Sequence, residues 1–358
     1  MTVLLTITIL ILTGIAVWQI TKIFELSQIG LKKDDSQIAT EKDNDLNGKL
    51  MFAFLVFIYL VTIYCFWAYT KVLLPESASE HGAIYDTLLW VSFAIILFAQ
   101  TITQAVLHYF AYKYRGINNR KAYFFTHDNK LELIWTVIPA IIFFVLIIYG
   151  MITWGQIMNF GEEDEDDLVV ELYAQQWNWK ARYGGLDNVL GDANVRFLND
   201  FDGKNAVGID SSDPNGMDDF VVTQEFHLPV NRKVIFKMRS QDVLHSAYMP
   251  HFRAQMNCVP GMITEFSFTP TITTEEMRQN SDVVAKVNRI NKIRYDKSQK
   301  LISKGEEALD SYQFDYLLLC AKICGTSHFN MQMKIIVESE KDYKKWAVQQ
   351  QTFSEIIQ

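Results

Sequence analysis

Four stretches of this chain contain no Asp, Glu, Lys or Arg: residues 3–20, 51–70, 87–112 and 133–160. Each has about the 18 or more residues that an apolar helix needs to cross a bilayer. Burying four such helices in a soluble protein would take a very large core, so all four are expected to be membrane spans. The first also has the length of a signal peptide. No positive residues precede it and no A-x-A site follows it, so it is expected to be a retained span.

Loop charges give an orientation. Lys22, Lys32, Lys33, Lys42 and Lys49 flank or follow the first span, and Lys113, Arg115, Arg120, Lys121 and Lys130 follow the third. The loop between the second and third spans carries only Lys71. The positive-inside rule puts the two basic loops in the cytoplasm and everything after the fourth span outside. The expected organisation is a transmembrane domain over residues 1–160, an external domain over 161–350 and a tail over 351–358.

Composition narrows the external part. The chain is 49% apolar with a formal net charge of −8, which excludes a disordered or collagen-like chain. Residues 161–270 hold 18 acidic and 9 basic side chains, beginning with Glu162, Glu163, Asp164, Glu165, Asp166 and Asp167. That acidity excludes general nucleic-acid binding, which needs a basic face. The acidic run reads either as a solvated linker or as a steering surface for a basic partner. Four cysteines are too few for a disulfide framework.

Short β-rich segments recur: Leu168-Val-Val-Glu-Leu-Tyr, Phe220-Val-Val-Thr-Gln-Glu-Phe, Lys233-Val-Ile-Phe-Lys-Met, Met262-Ile-Thr-Glu-Phe-Ser-Phe and Tyr312-Gln-Phe-Asp-Tyr-Leu-Leu-Leu. Such strands, separated by Gly, Asn and Asp, predict a β-sandwich or barrel. Residues 184–219 read as a long loop. Residues 274–311 read as a helical insertion, with Val283, Val287, Ile290 and Ile293 at helical spacing.

The chemistry is concentrated in Cys320-Ala-Lys-Ile-Cys324-Gly-Thr-Ser-His328-Phe-Asn-Met331. Two thiols, an imidazole and a thioether point to copper, because thioether ligation is rare for zinc. His245 offers a second imidazole at the end of a predicted strand. One Cys with two His and a Met would hold a single copper ion. The second thiol allows two bridged ions, with a loop carbonyl completing the set. The competing reading is a Cys320–Cys324 disulfide or a pair of core thiols.

Together, Thr87-Leu-Leu-Trp-Val-Ser-Phe, Lys130-Leu-Glu-Leu-Ile-Trp-Thr-Val-Ile-Pro, Gln176-Trp-Asn-Trp, Asp242-Val-Leu-His-Ser, Val259-Pro-Gly and the cysteine loop resemble subunit 2 of the haem–copper cytochrome c oxidases. The resemblance runs from about Thr87 to Trp346, apart from residues 184–219 and 274–311. It implies a membrane-anchored α+β chain whose external domain is a cupredoxin-like β-barrel or sandwich. It also implies a binuclear copper centre, CuA, bound by His245, Cys320, Cys324, His328, Met331 and the backbone carbonyl of Lys322. That centre would accept electrons from a c-type cytochrome and pass them to haem a of subunit 1. There oxygen is reduced to water and protons are pumped.

By the same match, Trp177 takes up the electron and Glu132 stands at the mouth of a proton path. An ionisable residue at the start of a span is a functional candidate in any case. Most of the family has a glutamate at position 322 that also reaches a magnesium ion, and Lys322 argues against that site here. Gln241, Ala247, Asn257 and Met262 also depart from the family pattern. The implied partners are subunit 1, other oxidase subunits, membrane lipid and a donor, either a mobile cytochrome or a haem subunit of a supercomplex. The implied location is a bacterial-type inner membrane, with the copper domain on the periplasmic side.

No Cys-x-x-Cys-His occurs, so no covalent haem is expected. A quinol oxidase subunit of the same fold is the alternative, disfavoured by the intact copper ligands. The insertion, which lies just before the copper loop in sequence, is expected near the donor-facing end, binding neighbouring chains.

Overall fold

Charge-free runs become long helices, and their polar margins say where each one starts. The computed structural model describes residues 2–29, 40–117, 120–121, 123–159, 164 and 166–358. Lys32, Lys33, Glu162, Glu163 and Glu165 therefore lie outside the described residues. The four long helices are α1 (Thr2–Ile29), α2 (Glu41–Leu73), α3 (Glu80–Lys113) and α4 (Asn129–Met158). All four are long and apolar enough to cross a membrane. At the head of α2, Thr40 Oγ1 accepts the Asp43 backbone N–H, and Asp43 accepts the Thr40 backbone N–H in return. Asp128 caps α4 by accepting from Lys130 N and Leu131 N. Pro139 lies inside α4, which membrane helices tolerate.

The chain divides into two compact units, Met1–Tyr69 with Ala94–Ile134, and Thr70–Phe93 with Trp135–Gln358. In the first unit Asp45 accepts from Arg115 Nε and Nη2, and Tyr59 donates its hydroxyl to Thr101 O. These polar contacts fix helix register where apolar side chains alone give little direction.

The second unit holds a β-sandwich. Its strands are β1 (Leu168–Gln175), β2 (Asn178–Tyr183), β3 (Phe220–Val222), β4 (Glu225–Pro229), β5 (Val234–Ser240), β6 (His245–Met249), β7 (Ala254–Cys258), β8 (Thr264–Phe268), β9 (Tyr316–Cys320) and β10 (Gln332–Glu338). One sheet has the order β3-β2-β1-β5-β8 and the other β4-β10-β9-β6-β7. Their inner faces share one core that includes Val170, Leu172, Trp179, Phe226, Phe236, Met249, Phe252 and Leu318. The expected membrane-anchored α+β architecture with a β-sandwich is the one present.

β1 is buried on both faces. Its outer face carries Glu171 and Tyr173, which residues 184–219 cover. Arg182 lies 2.6 Å from Glu171 and 3.0 Å from Asp219, and it donates to Gly191 O. Arg239 also pairs with Glu171. Each arginine faces a carboxylate and the pairs stitch the long loop to the sheet, although burial outweighs Arg182 at Asp219 and pushes its carboxyl up to about 7. Residues 351–358, expected as a tail, form α8 (Phe353–Ile357), and Phe353 is buried with Tyr173, Val207 and Ile209.

The insertion departs from its expected position. It comprises α5 (Thr274–Gln279), α6 (Ser281–Ile302) and a return segment bonded to α6 through Asn291–Tyr312, Arg294–Asp310 O and Ser298–Leu309 N. It leaves one sheet after Phe268 at the end of β8 and enters the other at Tyr316, four residues before β9 ends at Cys320. The cysteine loop begins at the far end of β9, so the insertion is rooted at the opposite end of the sandwich. Nearness in sequence was misleading because a strand separates the two. α7 (Glu340–Ala347) follows β10 and packs Tyr343 and Trp346 on Tyr183.

Candidate metal centre

Sheet pairing brings the donors together. β6 and β9 are antiparallel neighbours with Ala247 opposite Cys320, which puts the His245 end of β6 beside the Cys320 end of β9. The loop from 321 to 331 is closed at its base, where Cys320 N donates to Met331 O and Ala321 N donates to Ser246 O. A single turn at His328–Asn330 folds His328 back toward the thiols.

Cys320 Sγ and Cys324 Sγ are 3.8 Å apart, and both cysteines are free. A disulfide would need about 2.05 Å, so the disulfide reading does not describe this loop. His245 Nδ1 lies 3.9 Å from Cys320 Sγ, and His328 Nδ1 lies 3.6 Å from Cys324 Sγ. Met331 Sδ is 3.7 Å from Cys324 Sγ, and the Lys322 carbonyl oxygen is 3.1 Å from Cys320 Sγ. The donor atoms of His245, Cys320 and Cys324 all lie within 4.8 Å of one another. All six predicted donors thus meet at one end of the sandwich.

The surroundings fix which atoms face inward. His245 is fully buried, and its Nε2 is 2.8 Å from Asp242 Oδ1. A carboxylate only accepts, so Nε2 carries the proton and Nδ1 presents a lone pair to the thiols. Asp242 Oδ2 also accepts from Gln176 N, and Gln176 Nε2 donates to Cys324 O. Burial opposes ionisation of Asp242, yet these hydrogen bonds hold its carboxyl below the usual value. Asp242 thus orients a donor, a role that the sequence reading does not assign to it. Its place three residues before His245 was the available signal.

Burial, and then the neighbouring Cys320 sulfur, push the Cys324 thiol up to about 11. Two adjacent thiolates here require a cation to offset their desolvation and mutual repulsion. Soft sulfur with imidazole and thioether fits copper best. Cys258, opposite His245 across β6 and β7, is fully buried, and burial pushes its thiol up to about 12. It behaves as a small apolar side chain.

Trp177 stands in the turn between β1 and β2, 39% exposed, with its ring edge against Gly325 of the loop. The same motif holds a second tryptophan, to which the sequence reading assigns no role. Trp179, two residues on and facing the core, sets its ring edge-on to His245 at 6.3 Å. The period of two along a strand was the signal. Glu132 is half exposed in the first turn of α4, with His127 Nδ1 at 3.9 Å, and belongs to the first compact unit. The Lys322 side chain is exposed.

Residues 71–152 match the cytochrome C oxidase subunit II transmembrane domain, and residues 168–289 match the cytochrome C oxidase subunit II periplasmic domain. The alternative cytochrome c oxidase subunit 2 of Bradyrhizobium diazoefficiens is 30% identical over 80% of this chain and 86% of its own length. The chain belongs to the cytochrome c oxidase subunit 2 family. Cytochrome c oxidase subunit 2 of Cereibacter sphaeroides is 24% identical over 71% of this chain and 72% of its own. The periplasmic domain of cytochrome oxidase subunit II from Bradyrhizobium japonicum aligns with a TM-score of 0.31 and 15% identity over 52% of this chain and 95% of that one. Family membership makes the chain a component of an oxidase complex, anchored in a membrane with an external domain. The periplasmic match stops before the cysteine loop of this subunit, so its metal site stands on the donor geometry.

Proposed function

We propose that this chain is the electron-transfer subunit of a cytochrome c oxidase, binding a two-copper CuA centre through His245, Cys320, Cys324, His328, Met331 and the carbonyl of Lys322. One observation carries the reading: two free thiols 3.8 Å apart, each with an imidazole Nδ1 within 4 Å. Two thiols are more than a single blue-copper ion uses. Bound in this set, two copper ions would supply a one-electron relay between donor and acceptor. Asp242 keeps His245 in the tautomer that offers Nδ1, and the sandwich holds the donors in place.

Trp177, half exposed against the loop, is the contact for the electron donor, a c-type cytochrome or a haem subunit of a bound donor complex. Haem a of subunit 1 is the acceptor, where oxygen reduction is coupled to proton pumping, and Glu132 serves the mouth of the proton path. With Lys322 in place of a carboxylate, no magnesium ligand is assigned to this chain. The location is a bacterial-type inner membrane with the sandwich on the periplasmic side. A quinol oxidase subunit has no use for this donor set. The test is metal analysis with electron paramagnetic resonance of the purified full chain. Two copper ions in a mixed-valence pair are expected, and one copper ion or a blue single-ion spectrum overturns the reading.

A further inference from the structure

We propose that Arg253 and Asp86 form a latch that fixes the β-sandwich, and with it the metal centre, on helix α3. Arg253 follows a short turn at Pro250–Phe252 and has φ +52°, a left-handed conformation that a residue with a Cβ adopts at a cost. Its side chain is only 3% exposed. Nε and Nη2 meet Asp86 Oδ1 and Oδ2, each at 2.8 Å, in a two-pronged fork. Nη1 donates to Pro250 O at 2.7 Å, and Nη2 also donates to Pro75 O at 2.6 Å. One guanidinium thus ties together the sandwich, the segment leading into α3 and the second turn of α3 itself.

The seam around it is continuous. Ala78 N donates to His251 O, Thr271 N to Ala78 O and Glu80 N to Thr269 O. Ala78 is fully buried in the main core, and Ser79 Oγ donates to Phe252 O. These contacts attach the segment before α3, and most of them are backbone bonds at or before its first residue. Within the helix His81 sets its ring edge-on to Phe266 at 5.7 Å, with Nε2 3.4 Å from Arg253 O, and Asp86, one turn further on, adds the two-pronged ionic fork. Planar bidentate pairing supplies a directional constraint, which a lysine cannot reproduce.

The link to the metal centre is direct. β6 starts at His245 and ends at Met249, and the turn carrying Arg253 follows at once. A tilt of about 10° at the latch would move His245 by roughly 3 Å over the ~17 Å length of the strand. Electron transfer through protein falls exponentially with distance, so the latch sets the transfer rate from this centre to an acceptor held in the membrane. Arg253 is then a positioning residue, and this role in transfer rests on the CuA reading above.

The test compares D86N, R253Q and R253K in the purified oxidase complex. Hydrogen exchange at the amides of Ala78, Glu80 and Thr271 reads the seam without reference to copper. Copper resonance reads the centre, and flash-induced transfer from copper to haem reads its position. D86N and R253Q are expected to speed exchange at the seam at least tenfold and to slow transfer at least tenfold, with the copper signal unchanged. R253K, which keeps the charge without the fork, is expected to recover only part of each. Unchanged exchange, or unchanged transfer across a loosened seam, overturns the latch. Loss of the copper signal in both D86N and R253K makes the pair a folding element and also overturns it. Failure of the CuA reading would appear in the unsubstituted complex as a missing two-copper signal, leaving the exchange measurement to judge the seam.

Discussion

Gly325 shows how a single residue sets the surroundings of the metal centre. Its φ of +125° suits glycine alone, and a Cβ there would lie 3.0 Å from Gln176 Nε2 and 3.1 Å from the Trp177 ring. Gly325→Ala is expected to cost about 1–3 kcal/mol and to push the Trp177 ring away from the loop. Copper content should persist while copper reduction by the donor slows, which stopped-flow mixing will measure. His251 responds to pH. Burial first, with Lys286 and Arg253 adding, lowers it to about 4 against the pull of its hydrogen bond to Glu76 O. The folded protein therefore keeps His251 neutral where the unfolded chain binds a proton below about 6.5. Stability is intact above pH 6.5 and falls as pH drops toward 4, by up to about 3 kcal/mol. His251→Gln should flatten the fall in melting temperature between pH 7 and 4.5. An equal fall in the variant would show that other groups carry the acid sensitivity.

Among the elements, strands with β-rich composition were legible from sequence. β1, β5, β8 and β9 overlap segments read as strands, because a face that packs on another sheet demands Val, Ile, Leu and Phe. β7 was not, since Ala-Gln-Met-Asn-Cys carries neither strong alternation nor β-branched residues and is held as a strand by its pairing with β6. The insertion was readable as helical, but its arm and its root differ in role. α5 is part of the core, with Met277 buried and a capping box at Thr273 and Glu276, whereas α6 beyond Val287 is largely exposed. Excising residues 281–311 and joining Asn280 to Tyr312 is feasible because Arg278 already bonds to Phe314 O. Losing Val283 from the core should cost about 1–3 kcal/mol, and the copper spectrum should be unchanged. Weaker co-purification of neighbouring chains is expected if the arm binds them, and unaltered co-purification would remove that role.

For the whole molecule, the long helices leave large apolar side chains outward, such as Trp67, Phe98 and Phe144. In a membrane these faces meet lipid or other oxidase subunits. Glu132 belongs to this scale, because the proton-path role proposed for it requires subunit 1 beside it. Glu132→Ala is expected to slow steady-state oxygen consumption several-fold while leaving copper reduction by the donor unchanged. Unaltered turnover would reduce Glu132 to a carboxylate at a helix start. Read alone, the sequence established four helices long and apolar enough to cross a membrane, since a charge-free run of that length has no other economical home. It also determined the donor types, because Cys-x3-Cys-x3-His-x2-Met sits in one short loop whose chemistry is local. Tertiary structure decided what depends on distant pairing. β6 beside β9 brings His245 to that loop, Asp242 becomes the orienter of its ring, and the insertion is sent to the opposite end of the sandwich. The Arg253–Asp86 fork joins residues 167 positions apart, and no local pattern could announce a contact between residues so distant in sequence.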